Sequence, residues 1–474
     1  MRCGCVPVTC WPRALIRPRP DPDSAIMSAP PRELATVEDR NRAADRSRVL
    51  DARRRGRKGL LIWLLLGPGV LVMLGENDGP SMLSYAATGA SYGIGFFLPF
   101  IALTFGAAYF VQEMGMRLGA VTHRGYGELL FQRFGPFWGW FTLADLMITN
   151  LITLITEIIA IRVGMSYFGI ANWMGVLFAV SLVVLSAFGS RYSRWERISM
   201  SLAIFNLLFV VSAVLAKPSP AAIGHALLTW TPIGVGSFQQ LLLLIASNIG
   251  ATVTPWMLFF QQSATVDKGL TPRDIAGGRL DTAVGTVVAT IAGCAALLAA
   301  LPLFVHHVDV SQLSQGGAGY AQALKPYIGD WGAALFALGL IEAGAVAMLT
   351  ISASTAYGLG EAFVGAGHSF NRPLKDAPMF YLANVGAAAL AGAIVLIPGL
   401  PLLQITLNAN LLAVLLTPPA LVFLLVMIND RELMGRHVNA RWNNIVAIGL
   451  TLFITAAGTL YAVVAFFNTF WPSH

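Results

Sequence analysis

Apolar segments long enough to cross a bilayer recur along the whole chain, and few folds remain open to such a sequence. A spanning helix needs about 20 mainly apolar residues. That window marks eleven segments, at roughly 59–92, 95–119, 136–168, 172–189, 198–216, 236–266, 280–305, 331–363, 378–398, 400–428 and 442–470. The loops between them sort by charge. Arg117, His123, Arg124 and Arg133 fall in one set, with Arg191, Arg194, Arg197, Lys268, Arg273 and Arg279. The same set continues through Arg372, Lys375, Arg431, Arg436 and Arg441, while the alternate loops carry little beyond Lys217 and Lys325. By the positive-inside rule the N-terminus is expected in the cytoplasm and the C-terminus outside, and an odd number of spans follows.

Composition removes the alternatives. Charged residues make up 12% of the 474, against about 25% in an average soluble domain, and mean hydropathy is +0.67. A soluble enzyme, a disordered chain and a collagen-like chain are excluded. The net charge of +7 reads as basic cytoplasmic loops rather than as a nucleic-acid surface. Residues 1–58 are expected to be a disordered cytoplasmic tail ending in Arg53-Arg54-Arg55-Gly56-Arg57-Lys58, with Met27 as a second possible start of translation. Cys3, Cys5 and Cys10 lie in that tail without an accompanying histidine, and read as incidental rather than as a metal or lipidation site.

Two segments are interrupted. The first is broken by Gly75-Glu76-Asn77-Asp78-Gly79-Pro80-Ser81, and the sixth near Ala251-Thr252-Val253-Thr254-Pro255-Trp256. A charged Asp at mid-membrane costs at least ~2.5 kcal/mol on insertion scales. Gly79-Pro80 cannot propagate a regular helix. Unwound backbone at membrane depth is tolerated only where protein buries it or where it lines a wet cavity. Matched breaks five spans apart point to inverted five-helix repeats with a binding site at their interface. The expected organisation is a first repeat over 59–217, a second over 236–428 and an additional helix over 442–470.

At these breaks the sequence resembles the Nramp family of divalent-metal transporters. The family's D-P-G-N of the first helix is met by Asp78-Gly79-Pro80-Ser81, and its M-P-H-N of the sixth by Thr254-Pro255-Trp256-Met257. Asn248-Ile249-Gly250-Ala251, Thr88-Gly89-Ala90-Ser91-Tyr92-Gly93 and Glu361-Ala362-Phe363 extend the likeness. Trp256-Met257, Gln261-Gln262-Ser263, Val266-Asp267-Lys268-Gly269-Leu270, Val111-Gln112-Glu113 and Gly125-Tyr126-Gly127-Glu128-Leu129 are most similar to the Nramp-related magnesium transporter branch. The resemblance implies an all-α inner-membrane protein of bacterial type with an amino-acid–sodium symporter-like core. It also implies alternating access, divalent ions as substrate, no cofactor and no protein partner beyond the bilayer.

The departures from the family pattern carry chemistry. Thr254 replaces a soft thioether ligand with a hard oxygen, and Ser81 replaces a larger asparagine and leaves room for the waters that Mg²⁺ keeps. The resemblance makes Asp78 the central anionic ligand, with Ser81 and Thr254 beside it, and the carbonyls of Gly75 and Ala251 as further oxygens. Glu157 stands where the family has a glutamate in the third helix. Trp256 and Gln262 are read at the places of the family's two sixth-helix histidines, and neither titrates near neutral pH. Leu154 replaces the third-helix Asp, and Phe380 to Pro398 contains no arginine to pair with it. Losing both members of that pair is what abandonment of a proton relay predicts. Asn410 falls near a pathway glutamine of the tenth helix. Asp145 and Glu342 match no family position, and His306 and His307 beside Asp309 read as a solvated loop. Rival readings are a proton-coupled Mn²⁺ or Fe²⁺ importer, a carrier of small organic ions on the same fold, and a non-transporting membrane sensor.

Overall fold

The computed structural model describes residues 37–188, 191–231, 238–310, 317–363, 369–400 and 402–470, and every regular element among them is a helix. Among the described residues nine helices are long and apolar enough to cross a bilayer. The fourth segment forms the shorter apolar helix Asn172–Ala187, and the first is a pair of half-helices, Pro68–Gly75 and Gly79–Tyr92. These two complete the succession of eleven read from the sequence. Large apolar side chains such as Leu103, Phe137, Ile148, Trp173, Leu185 and Leu452 are exposed, as lipid contact requires.

Boundaries shift where proline and glycine dictate. The first segment is bent ahead of its break as well, before Pro68. Residues Lys58–Leu65 form a separate helix with no buried residue, bent by 52° from Pro68–Gly75. Proline disfavours helical geometry in the residue before it and starts a new helix readily. The eighth span, within Gly317–Ala362, is set off from the helix before it at Gly329, whose φ of 74° lies in the left-handed region that glycine adopts freely.

The tail expected to be disordered over 1–58 is corrected in its second half. Val37–Arg54 is a helix seated on the bundle, with Ala43, Val49 and Ala52 buried. Arg46, itself buried, meets Asp274 at 2.7 Å, and Arg53 meets the same carboxylate at 3.2 Å. Arg42 reaches Asp267 at 3.3 Å, and Asp45 receives Arg191 at 2.8 Å. In the sequence these charges resemble a solvated face, because their partners lie more than 140 residues away. Residues 1–36, with the three tail cysteines and Met27, lie outside the described residues.

The basic loops meet at one end of the bundle, called here the basic end. Arg117 bonds Asn439 and the carbonyl of His437, Arg279 reaches Glu113 at 2.8 Å, and Arg133 reaches Asp430 at 2.6 Å. Asn41 of the N-terminal helix donates to the Asn371 carbonyl. The sorting of charges by loop therefore corresponds to a sorting in space.

The seventh span, Ile275–Val305, runs along both halves of the first. Its Asp281 carboxylate accepts from the backbone N–H groups of Gly67, Gly69 and Val70 at 2.8, 2.7 and 3.2 Å. These are donors that the start of a helix leaves without an intrahelical partner. Small residues permit the approach. A Cβ on Gly285 would fall 2.7 Å from the Gly69 carbonyl oxygen, and one on Gly89 2.3 Å from that of Leu297. Gly285→Val is expected to lower stability by about 1–3 kcal/mol or more, the usual cost of overpacking. Thermal unfolding of the detergent-solubilised protein measures this, with Gly449→Val, which meets nothing within 4 Å, as the unaffected control.

Candidate metal centre at the two helix breaks

Each break is built by a proline and an N-cap. In the first span Asp78 is extended, and its Oδ1 accepts from the Ser81 backbone N–H at 2.8 Å. In the sixth, Phe238–Gly250 ends and Pro255–Lys268 restarts after Thr254, which is also extended. The freed backbone groups find partners on neighbouring spans. Gly79 N–H donates to Glu157 Oε2 of the third span at 3.0 Å. The Ala251 carbonyl accepts from the Tyr85 hydroxyl at 2.8 Å, that of Val253 from Thr417 at 3.3 Å, and that of Trp256 from Ser354 at 2.9 Å. Asn77 donates to the Ala289 carbonyl at 2.9 Å and to Asn206 at 3.1 Å, and Asn206 donates on to Glu342 at 3.3 Å.

The breaks are joined by side chains. Thr254 Oγ1 donates to Glu76 Oε2 across the gap at 2.9 Å. The carboxyls of Glu76, Asp78 and Glu157 lie within Coulombic reach of one another. Glu76 and Glu157 are fully buried, and Asp78 is 2% exposed. Four buried oxygens have no hydrogen-bond partner among the described residues: Glu76 Oε1, Ser81 Oγ, Glu157 Oε1 and Asn77 Oδ1. An oxygen-rich, acidic cluster of this kind suits a hard cation. Among the described residues no group of three or more His, Cys, Asp or Glu side chains could hold a metal by itself. An ion here would complete its shell with backbone oxygens, hydroxyls and water.

The structure thus brings Asp78, Ser81, Thr254 and Glu157 to one place. Gly75 closes the first half-helix, and a Cβ on it would lie 3.2 Å from the Trp256 ring. Trp256 is fully buried, so an indole fills the gap beneath the break. The Ala251 carbonyl already accepts one hydrogen bond, which leaves it a single lone pair. Asn410 packs by its backbone, since its carbonyl oxygen would sit 2.0 Å from a Cβ on Gly250. Gln262 is not brought to the centre. Seven residues beyond Pro255 it is about 10 Å further along the helix axis, and its Nε2 donates to the Arg124 carbonyl at 2.8 Å near the basic end. His306 is exposed and stacks on Tyr327 at 4.6 Å. Asp145 is buried with neither carboxylate oxygen hydrogen-bonded among the described residues.

Sequence reasoning passed over Glu76, Asn77 and Tyr85. Glu76 carried a signal, a second carboxylate two residues before Asp78 within an otherwise apolar segment. Asn77 and Tyr85 carried none, because their importance lies in what they touch.

Helices broken at matching positions in an eleven-segment bundle define a membrane transporter with an inverted-repeat core. Residues 69–464 match the Nramp family, described as natural resistance-associated macrophage protein-like, and the chain belongs to that family. It is 27% identical over 419 residues to divalent metal cation transporter MntH 1 of Pseudomonas aeruginosa, covering 83% of this chain and 90% of that protein. It is 23% identical to metal transporter Nramp3 of Oryza sativa subsp. japonica, covering 85% and 74%. These relatives are transporters, not enzymes. The fold matches the Eremococcus coleocola manganese transporter with a TM-score of 0.73 at 18% identity, covering 87% of this chain and 89% of that one. It also matches MhsT in complex with L-phenylalanine, with a TM-score of 0.52 at 12% identity and coverage of 84% and 97%.

Gly79 sets the spacing of the centre, since a Cβ there would fall 2.1 Å from the Ala160 Cβ and 3.3 Å from Glu157 Oε2. Gly79→Ala is expected to part the first span from the third and weaken divalent-metal binding by about tenfold or more, the scale of a disturbed supporting shell. Metal titration of the purified protein measures it. Gly224→Ala, with open space at its Cβ, is expected to bind as wild type.

Proposed function

We propose that this protein imports divalent metal ions, Mg²⁺ foremost and Mn²⁺ in addition, by alternating access without proton coupling. The observation that carries the reading is the acidic, oxygen-rich lining of the breaks, with Thr254 where the family pattern has a soft methionine sulfur. Mg²⁺ takes oxygen ligands and gives up its waters reluctantly. Asp78 supplies the central charge, Ser81 and Thr254 the hydroxyls, Glu157 a further carboxylate, and Gly75 and Ala251 carbonyl oxygens. Trp256 and Asn410 border the pathway. The repeats extend over 59–217 and 236–428, with 442–470 as an added helix.

Absence of coupling is supported by the sequence. Neither histidine of the sixth helix nor the arginine of the ninth is present, and Leu154 takes the place of the third-helix Asp. An inside-negative potential contributes about 2.3 kcal/mol per charge per 100 mV, and about twice that for a divalent ion, so accumulation needs no co-ion. The protein is assigned to an inner membrane of bacterial type, with the basic end and the N-terminus in the cytoplasm.

A second reading is a proton-coupled manganese importer, favoured by the manganese transporter among the fold's matches. Liposome flux separates the two. Wild type is expected to carry Mg²⁺ with no interior acidification, and Asp78→Ala to lose the flux. Equal Mg²⁺ flux in both would sink the site assignment. Metal-driven acidification with strong Cd²⁺ block and no Mg²⁺ flux would establish the second reading.

A further inference from the structure

We propose that Glu76 is a direct oxygen ligand of the transported ion and that Thr254 holds it in position. The proposal rests on the reading of the breaks as the ion site and deepens it. Glu76 is fully buried in the unwound segment, two residues before Asp78. Its Oε2 accepts from Thr254, while its Oε1 has no hydrogen-bond partner among the described residues. A buried carboxylate without a counter-charge is costly at membrane depth, and a divalent cation between Glu76 and Asp78 offsets that cost. Asn77, between them, is held to the seventh span by the Ala289 carbonyl and to the fifth by Asn206, which fixes the segment that carries both carboxylates.

Thr254 then has a different role from the residue it replaces. Its hydroxyl lies 2.9 Å from Glu76 Oε2, so an ion touching that hydroxyl is also within reach of the carboxylate, the stronger ligand. The soft ligand of the sixth helix is thereby exchanged for a hard anionic one from the first. Selectivity follows from the exchange, because losing the sulfur removes the soft contact that favours a thiophilic ion such as Cd²⁺ over Mg²⁺.

Glutamine at position 76 keeps an acceptor for Thr254 and removes only the charge. Calorimetric titration of Mg²⁺ and of Cd²⁺ into the full-length detergent-purified protein is the test, with size-exclusion profiles checking the fold. Glu76→Gln is expected to weaken the binding of both ions, that of Mg²⁺ by about tenfold or more. Thr254→Val is expected to weaken Mg²⁺ by a smaller factor, and not to add to Glu76→Gln in the double variant. Glu76→Asp, which keeps the charge on a shorter stem, is expected to rank between wild type and Gln. Wild-type Mg²⁺ affinity in Glu76→Gln, with binding lost in Asp78→Asn, would overturn the proposal alone. Equal losses in the Asp and Gln variants would assign the effect to packing and overturn it as well. Wild-type binding in Asp78→Asn would instead remove the ion site from the breaks.

Discussion

Unwound backbone at membrane depth must find its partners in protein or in the water of a cavity. Much of the architecture around the centre answers that need. Glu157 takes the Gly79 N–H, Tyr85 and Thr417 donate to the carbonyls of the sixth-span break, and Ser354 donates to Trp256. The seventh span then keeps the two half-helices of the first in register without a continuous backbone between them. Asp281 receives the N–H groups that open one half, and the Ala289 carbonyl receives Asn77 at the gap. Glycines at 69, 89 and 285 allow this contact at backbone distance.

Substrate preference grows out of the same scaffold. Satisfying the broken backbone with carboxylate and hydroxyl oxygens fills the gap with hard groups. The carboxylates that bond through one oxygen leave the other without a hydrogen-bond partner among the described residues, as Glu157 and Glu76 both do. Trp256, fully buried, packs its indole against Gly75 at the end of the first half-helix. The string Asn77–Asn206–Glu342 links the first-span gap to a short 3₁₀ segment of the fifth span, Ile204–Leu207, and so to the eighth.

The fold was legible because spans announce themselves by length and apolarity, and the breaks by Gly79-Pro80 and Pro255. Asp78 and Thr254 were legible as the residues beside those breaks. The remainder depends on pairings across distant sequence. Thr254 and Glu76 are separated by 178 positions, and Asp281 and Gly67 by 214, with no local pattern to reveal either bond. The contact of Gln262 was hidden for a related reason. A count of residues along a helix gives its axial position, but the contact with Arg124 is decided by which neighbour the side chain meets. The N-terminal helix was missed because a charge-rich stretch reads as solvated until its counter-ions are located.

That helix has a kinetic meaning. Its Asp45 is tied to Arg191 at the start of the fifth span, while Arg42, Arg46 and Arg53 are tied to Asp267 and Asp274 where the sixth passes into the seventh. It is therefore a strap stitched to both halves of the molecule. Any rocking that parts the fifth span from the sixth–seventh connection must strip ion pairs from one side of the strap or the other. The Arg46–Asp274 pair is shielded from solvent, with the carboxylate fully buried and Arg46 nearly so. Ordinary salt screens such pairs poorly. An opening at the basic end that parted these elements would have to undock the strap as well.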